Sequence, residues 1–121
     1  MPERSLMAAL SRPISEIKAD LFRSLAHPAR IRVLELLVEG ERSVGEMQPL
    51  VGIESSHLSQ QLGILRRAGL VTTRKDGSSV FYAIRDPELA KLLDAAKRVL
   101  INSLAESQEL LADLRVAASE Q

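Results

Sequence analysis

The 121-residue sequence predicts a mainly α fold carrying one β-hairpin. Apolar residues recur three and four positions apart over most of its length, the spacing of helices buried along one face. Between Leu70 and Ile84 the period falls to two around Asp76-Gly77, a pair that favours a tight hairpin turn. The core must be built from Leu, Ile, Val and Ala, because the chain has only two Phe, one Tyr and no Trp.

Residues 1–13 contain Pro2 and Pro13, show no period, and are expected to form a flexible N-terminal segment. A single domain then spans 14–116, with 117–121 as a flexible tail. Ile14, Ile17, Leu21 and Leu25 mark a first helix. His27-Pro28 breaks it and starts a second, with proline at the first helical position, where its missing N–H costs nothing. Ile31, Leu34, Leu37 and Val38 should face the core, and Gly40 should stop the helix. Ser43-Val44-Gly45-Glu46 has the form of a capping box opening a third helix, which Pro49 and Gly52 limit to about two turns. A fourth helix runs from about Glu54 to Ala68 and ends at Gly69, with Leu58, Leu62 and Leu65 as its buried stripe. In the hairpin that follows, Val80, Tyr82 and Ile84 lie on one face.

Asp86-Pro87-Glu88 then opens a last helix, with a capping acid, a proline just inside and a second acid near the positive end of the helix dipole. Leu89, Leu92, Leu93, Ala96, Leu100, Leu104, Leu111 and Leu114 carry its apolar stripe to about residue 116. A domain of this size cannot easily cover such a stripe by itself, which calls for a partner chain. The order α-α-α-α-β-β-α is that of a winged helix-turn-helix, in which the third and fourth helices form the turn motif and the hairpin is the wing. The second helix of such a pair lies in the DNA major groove, and dimers span half-sites about one turn apart.

The polar side of the fourth helix agrees with that role. Ser56, Ser59, Gln60 and Gly63 are small or hydrogen-bonding, and Gln and Ser can read base edges at close approach. The net charge of zero looks wrong for a nucleic-acid binder, but its distribution does not. Residues 1–53 balance, residues 54–85 carry five basic groups against two acids, and residues 86–121 carry four against seven. Positive charge therefore gathers on the reading helix and hairpin, the local field that phosphate contact requires. The candidate DNA-contacting residues are Ser55, Ser56, His57, Ser59, Gln60, Gln61, Arg66 and Arg67 on the helix and its exit, with Arg74, Lys75 and Ser78 on the wing. His57 is placed near DNA without reading bases, and Arg66 and Arg67 are candidates to hold the backbone.

Other classes find little support. No apolar run approaches a membrane span, the N-terminus lacks a signal-peptide pattern, and the absence of Cys excludes disulfides, thiolate ligands and a thiol switch. These features point to the cytoplasm. Ser15-Glu16-Ile17-Lys18 matches the Ser-x-x-Lys pattern of some acyl enzymes, but it sits on an amphipathic helix without supporting motifs. Met7 and Met47 read as packing residues and His27 as a helix-boundary residue. No catalytic constellation is present, and no cofactor is expected.

Five stretches stand in a telling order. Leu25-Ala26-His27-Pro28-Ala29-Arg30-Ile31-Arg32-Val33-Leu34 comes first. Next are Ser56-His57-Leu58-Ser59-Gln60-Gln61-Leu62 and Leu65-Arg66-Arg67-Ala68-Gly69-Leu70-Val71. Asp76-Gly77 and Val80-Phe81-Tyr82-Ala83-Ile84 complete the set. Together they resemble the second-helix signature, the recognition helix with its exit, and the wing of the ArsR/SmtB family of bacterial transcriptional regulators. The resemblance covers about residues 14–100. It implies a homodimer joined through the first and last helices, with Ile14, Ile17 and Leu21 facing Leu89, Leu92, Leu93, Ala96, Leu100 and Leu104 at the interface. It also implies repression by occupying double-stranded operator DNA.

The sequence departs from that family's metal sensors. Where many members carry a cysteine pair on the third helix, this chain has Ser43-Val44-Gly45-Glu46-Met47-Gln48-Pro49-Leu50. Asp86 and Glu88 match the first half of a last-helix site in charge, but Val99 and Asn102 stand where its second half would be. Transition-metal sites need several N or S ligands, so no metal is expected, and a signal would come from a small-molecule or protein effector. The competing reading is a winged-helix protein-interaction module without DNA binding. It predicts acidic or bulky apolar residues on the reading face and a neutral wing, and Ser56, Ser59, Gln60, Arg74 and Lys75 are the reverse.

Overall fold

The computed structural model describes residues 11–119, so the expectations for residues 1–10, Met7 among them, and for 120–121 lie outside it. The chain divides after Asp86 into two compact units. The first holds α1 (Ile14–Leu25), α2 (Pro28–Val38), β1 (Arg42–Ser43), α3 (Val44–Val51), α4 (Ser55–Arg67), β2 (Val71–Asp76) and β3 (Ser79–Ile84). The second is α5 (Glu88–Ser119), a helix of 32 residues.

Local chemistry sets the boundaries. His27 is more than a boundary residue: its backbone is extended, and its Nδ1 accepts a hydrogen bond from the Ala29 N–H at 3.0 Å, so it caps α2 ahead of Pro28. Ser43 and Glu46 form the expected capping box, each side chain accepting from the other's backbone N–H at 3.2 Å. Gly52 ends α3 in the left-handed region at φ +73°, a conformation that favours glycine. Pro49 lies inside α3 instead of ending it.

Two expectations about packing change. On α2 the buried residues are Ala29, Val33, Leu34, Leu36 and Leu37, while Ile31 is half-buried and Val38 exposed. The helix touches α3, α4 and β3, so it is covered on more than one side and a single amphipathic stripe misjudges it. The sheet has three strands in the order β1-β3-β2, one more than the expected hairpin. Arg42 and Ser43 pair antiparallel with Tyr82 and Phe81, making β3 the central strand. Val80 to Ile84 are accordingly all half-buried, without the clean alternation expected. The element order is therefore α-α-β-α-α-β-β-α, and a two-residue strand carries no period from which it could have been read.

The hairpin turns through Gly77 and Ser78, with Asp76 paired to Ser79. Gly77 takes φ +64° at the first central position, as a type II′ turn requires. Leu34, Met47, Leu58, Leu62, Leu65 and Val33 are the largest fully buried side chains, placing α4 against α2 and α3 through its apolar stripe. On α5 the helix continues three residues past the expected end at 116. Ala117 and Ala118 are strong helix formers and no Gly or Pro intervenes, so 117–119 are helical.

Candidate nucleic-acid interface

The apolar stripe Leu58, Leu62 and Leu65 fixes which side of α4 faces outward. Ser55, Ser56, His57, Ser59 and Gln60 are exposed together on that side, and Arg66 and Arg67 are exposed in the last turn. Among the described residues neither arginine makes an ion pair. The Arg67 guanidinium folds back over Gly63, its Nη1 only 3.2 Å from where a Cβ would stand. Gly63 thus leaves room that a side chain would take. The His57 ring meets the His27 ring edge to face, with centroids 5.6 Å apart, so the reading helix touches the cap of α2.

Gln61 is not on this surface. It is 5% exposed, and its Oε1 accepts from Arg30 Nη1 at 2.9 Å. One step along a helix is about 100°, enough to carry Gln61 from the outer face occupied by Gln60 to the inner one. Its assignment as a DNA-contacting residue is therefore corrected.

On the wing, the expected pair of tip cations separates. Arg74 is held by Glu41 in a two-pronged contact, Nη2 to Oε1 at 2.6 Å and Nε to Oε2 at 3.1 Å. Asp76 lies 3.7 Å from its Nη1, and the guanidinium sits 4.7 Å from the centroid of Phe81, its cross-strand partner. Hydrogen bonding to Arg74 lowers the Glu41 carboxyl below its ordinary range, and the same contact raises Arg74. Glu41 lies outside the basic segment in sequence but folds onto it, reducing the local net charge from +3 to +2. Lys75 points to the opposite face of the ribbon, as strand alternation requires, and is exposed without an ion pair among the described residues. Ser78 is exposed at the tip. Glu41 was not legible as a wing residue, because 33 positions and no local period separate it from Arg74.

The candidate interface residues also divide. On α1, Ile14 is 68% exposed and Ile17 exposed, with Leu21 half-buried. On α5, Ala96, Leu100 and Leu104 are exposed, Leu92 and Leu93 are half-buried, and Leu89, at 7%, is already buried within one chain. Val99, Ile101, Leu110, Leu111, Leu114 and Val116 add to the exposed apolar surface of this helix. Among the described residues no three His, Asp or Glu side chains gather as metal ligands, and no helix is long and apolar enough to cross a membrane.

A helix-turn-helix domain profile matches residues 25–74, which run from the end of α1 into β2. The HTH-type transcriptional regulator Rv0081 of Mycobacterium tuberculosis is 54% identical over 110 residues, covering 90% of this chain and 96% of that one. The chain belongs to the winged helix-turn-helix transcriptional regulators. The crystal structure of Rv0081 matches this regulator with a TM-score of 0.73 at 56% identity, over 79% of this chain and 97% of that one. The biofilm growth-associated repressor of Xylella fastidiosa is 44% identical over 77 residues, 64% of this regulator and 68% of that protein. A homodimeric winged helix-turn-helix DNA-binding domain from Mycobacterium bovis, a possible ArsR-family regulator, gives a TM-score of 0.69 at 28% identity over 77% of this chain and 86% of that one. The regulator is a sequence-specific DNA-binding protein.

Proposed function

We propose that this regulator is a repressor of the ArsR/SmtB kind that binds an inverted-repeat operator as a homodimer and lacks that family's metal-sensing residues. One observation carries the reading: α4 presents Ser55, Ser56, His57, Ser59 and Gln60 outward on a helix whose other side is locked into the core. Gln60 is the base reader, since its amide can bond bidentately to an adenine edge. Ser55, Ser56, Ser59 and His57 lie beside it toward base or phosphate, with Arg66, Arg67, Lys75 and Ser78 on the backbone. Repression is supported by the Xylella fastidiosa relative, a biofilm growth-associated repressor, and the homodimer by the Mycobacterium bovis domain. The exposed Ile14, Ile17, Leu100 and Leu104 supply apolar surface for the same purpose. The effector is a small molecule or a protein, acting by differential affinity for the DNA-competent state.

Selection of bound fragments from genomic DNA yields the operator, and fluorescence anisotropy then compares it with random DNA. Gln60→Ala should lower the operator-to-random affinity ratio by the roughly 1–3 kcal/mol of a bidentate base contact while leaving random-DNA affinity nearly unchanged. An unchanged ratio would remove Gln60 as a reader. If no fragment is enriched at all, the interaction-module reading takes its place.

A further inference from the structure

The buried contact that removes Gln61 from the DNA-facing surface has a consequence for the residues beside it. Arg30, on α2, reaches two other helices with one guanidinium. Its Nη1 donates to Gln61 Oε1 on α4 at 2.9 Å, and its Nη2 donates to the Arg23 carbonyl in the last turn of α1 at 3.3 Å. Arg30 Nε is buried without a hydrogen-bond partner, and Gln61 is the one polar residue in the buried set of the described chain. A buried polar contact with an unmet donor is a poor way to gain stability, because apolar side chains of similar volume would fill the space without that cost.

From this geometry we infer that Arg30 and Gln61 are positioning residues that set the rotation of α4, and with it the aim of Gln60, Ser56 and Ser59. The other buried side chains of α4 are the apolar Leu58, Leu62 and Leu65, and beside them the His57 ring meets another element, edge to face with His27 and without a hydrogen bond between the rings. Apolar burial is non-directional and tolerates a small roll of the helix. A hydrogen bond does not, since it weakens steeply with angle and distance. With side chains reaching about 5–6 Å from the helix axis, a roll of about 20° moves their tips by roughly 2 Å, enough to lose a base contact. Gln61 is the immediate neighbour of Gln60, so fixing one fixes the other. The second prong of Arg30, on α1, ties that setting to the end of a helix whose exposed Ile14 and Ile17 await a partner. The inference rests on the reading of Gln60 proposed above.

The test compares operator and random DNA for Gln61→Met, Arg30→Met, their double variant and Gln61→Glu, with thermal melting measured on each. Both single Met variants should lower the operator-to-random ratio by about tenfold, and the double variant should be no worse than either, as for two residues sharing one contact. Random-DNA affinity and its salt dependence should hold, and Gln61→Glu, which still accepts from Arg30, should retain the wild-type ratio. Should Gln61→Met not fold, Arg30→Lys reads the same point, because a single ammonium cannot span both partners and should lose the ratio too. Failure of the two ideas is distinguishable. If Gln60→Ala lowers the ratio and the Gln61 and Arg30 variants do not, or if the two Met substitutions add, the positioning role is wrong. If Gln60→Ala itself has no effect, the reading beneath it fails.

Discussion

The wing makes the sharpest quantitative prediction, because its two neighbouring cations have opposite situations. Arg74, though exposed, spends its charge on neighbouring side chains: Glu41 binds it through two hydrogen bonds, Asp76 stands 3.7 Å away, and Phe81 lies under its plane. That cluster of one cation and two acids is net negative. Lys75, on the other face, has no such partner among the described residues. A phosphate meeting the wing therefore releases counterions through Lys75 and gains little from Arg74. Each phosphate contact contributes about 0.9 to the slope of log affinity against log salt, so Lys75→Ala in a dimer with two wings should flatten it by about 1.8. Between 50 and 200 mM salt, that difference amounts to about a tenfold smaller loss of affinity for the variant than for the wild type.

Arg74→Ala should leave the slope close to wild type, while lowering affinity for operator and random DNA alike by exposing Glu41 and Asp76 to the phosphates. Anisotropy titrations of a labelled operator duplex at several salt concentrations measure all three proteins. Equal flattening by Lys75→Ala and Arg74→Ala would refute the argument, since it would mean that Arg74 leaves Glu41 for phosphate on binding. An unchanged slope for Lys75→Ala would place the wing away from DNA.

Four other outcomes follow from the same structure. Arg74 holds the folded Glu41 carboxyl below its ordinary value of 4.5, so the pair's stabilisation is present above that pH and is lost as pH falls through the lowered folded value. The melting difference between wild type and Glu41→Gln should be constant near neutrality and shrink below about pH 4.5; a difference that grows on acidification would reverse the assignment. His27→Ala removes the α2 cap and should cost about 1 kcal/mol in urea unfolding, with His27→Asn recovering most of it. Leu100→Asp with Leu104→Asp should convert a dimer to monomers in light scattering without changing the far-UV spectrum, as both side chains are more than 60% exposed in one chain. Zinc, nickel, cobalt and arsenite should not release the operator complex at stoichiometric levels, because α3 has no thiolate and Val99 and Asn102 offer no ligand pair on α5. Release with micromolar affinity, abolished by changing Asp86 or Glu88, would expose a sensor in the positions dismissed.

What could be read from the sequence was whatever depends on local order. Pro28, the Ser43–Glu46 box and Gly52 each act within a few residues, so the helix starts and stops fell close to where they were expected. Leu58, Leu62 and Leu65 are buried because their spacing matches one turn of helix, which also turned Ser56, Ser59 and Gln60 outward. The larger departures are contacts between distant residues. Arg42–Ser43 becomes a strand only because Tyr82 and Phe81 pair with it, and Arg74 is engaged by an acid only because Glu41 comes back across 33 positions. Gln60 and Gln61 show the limit most sharply: two identical side chains, adjacent on one helix, have opposite fates. Periodicity places Gln61 at the border of the stripe, and border positions go to whichever partner is present. Here that partner is Arg30, 31 residues away, and its presence decides that Gln61 turns into the protein while Gln60 stays exposed on the outer face of the helix.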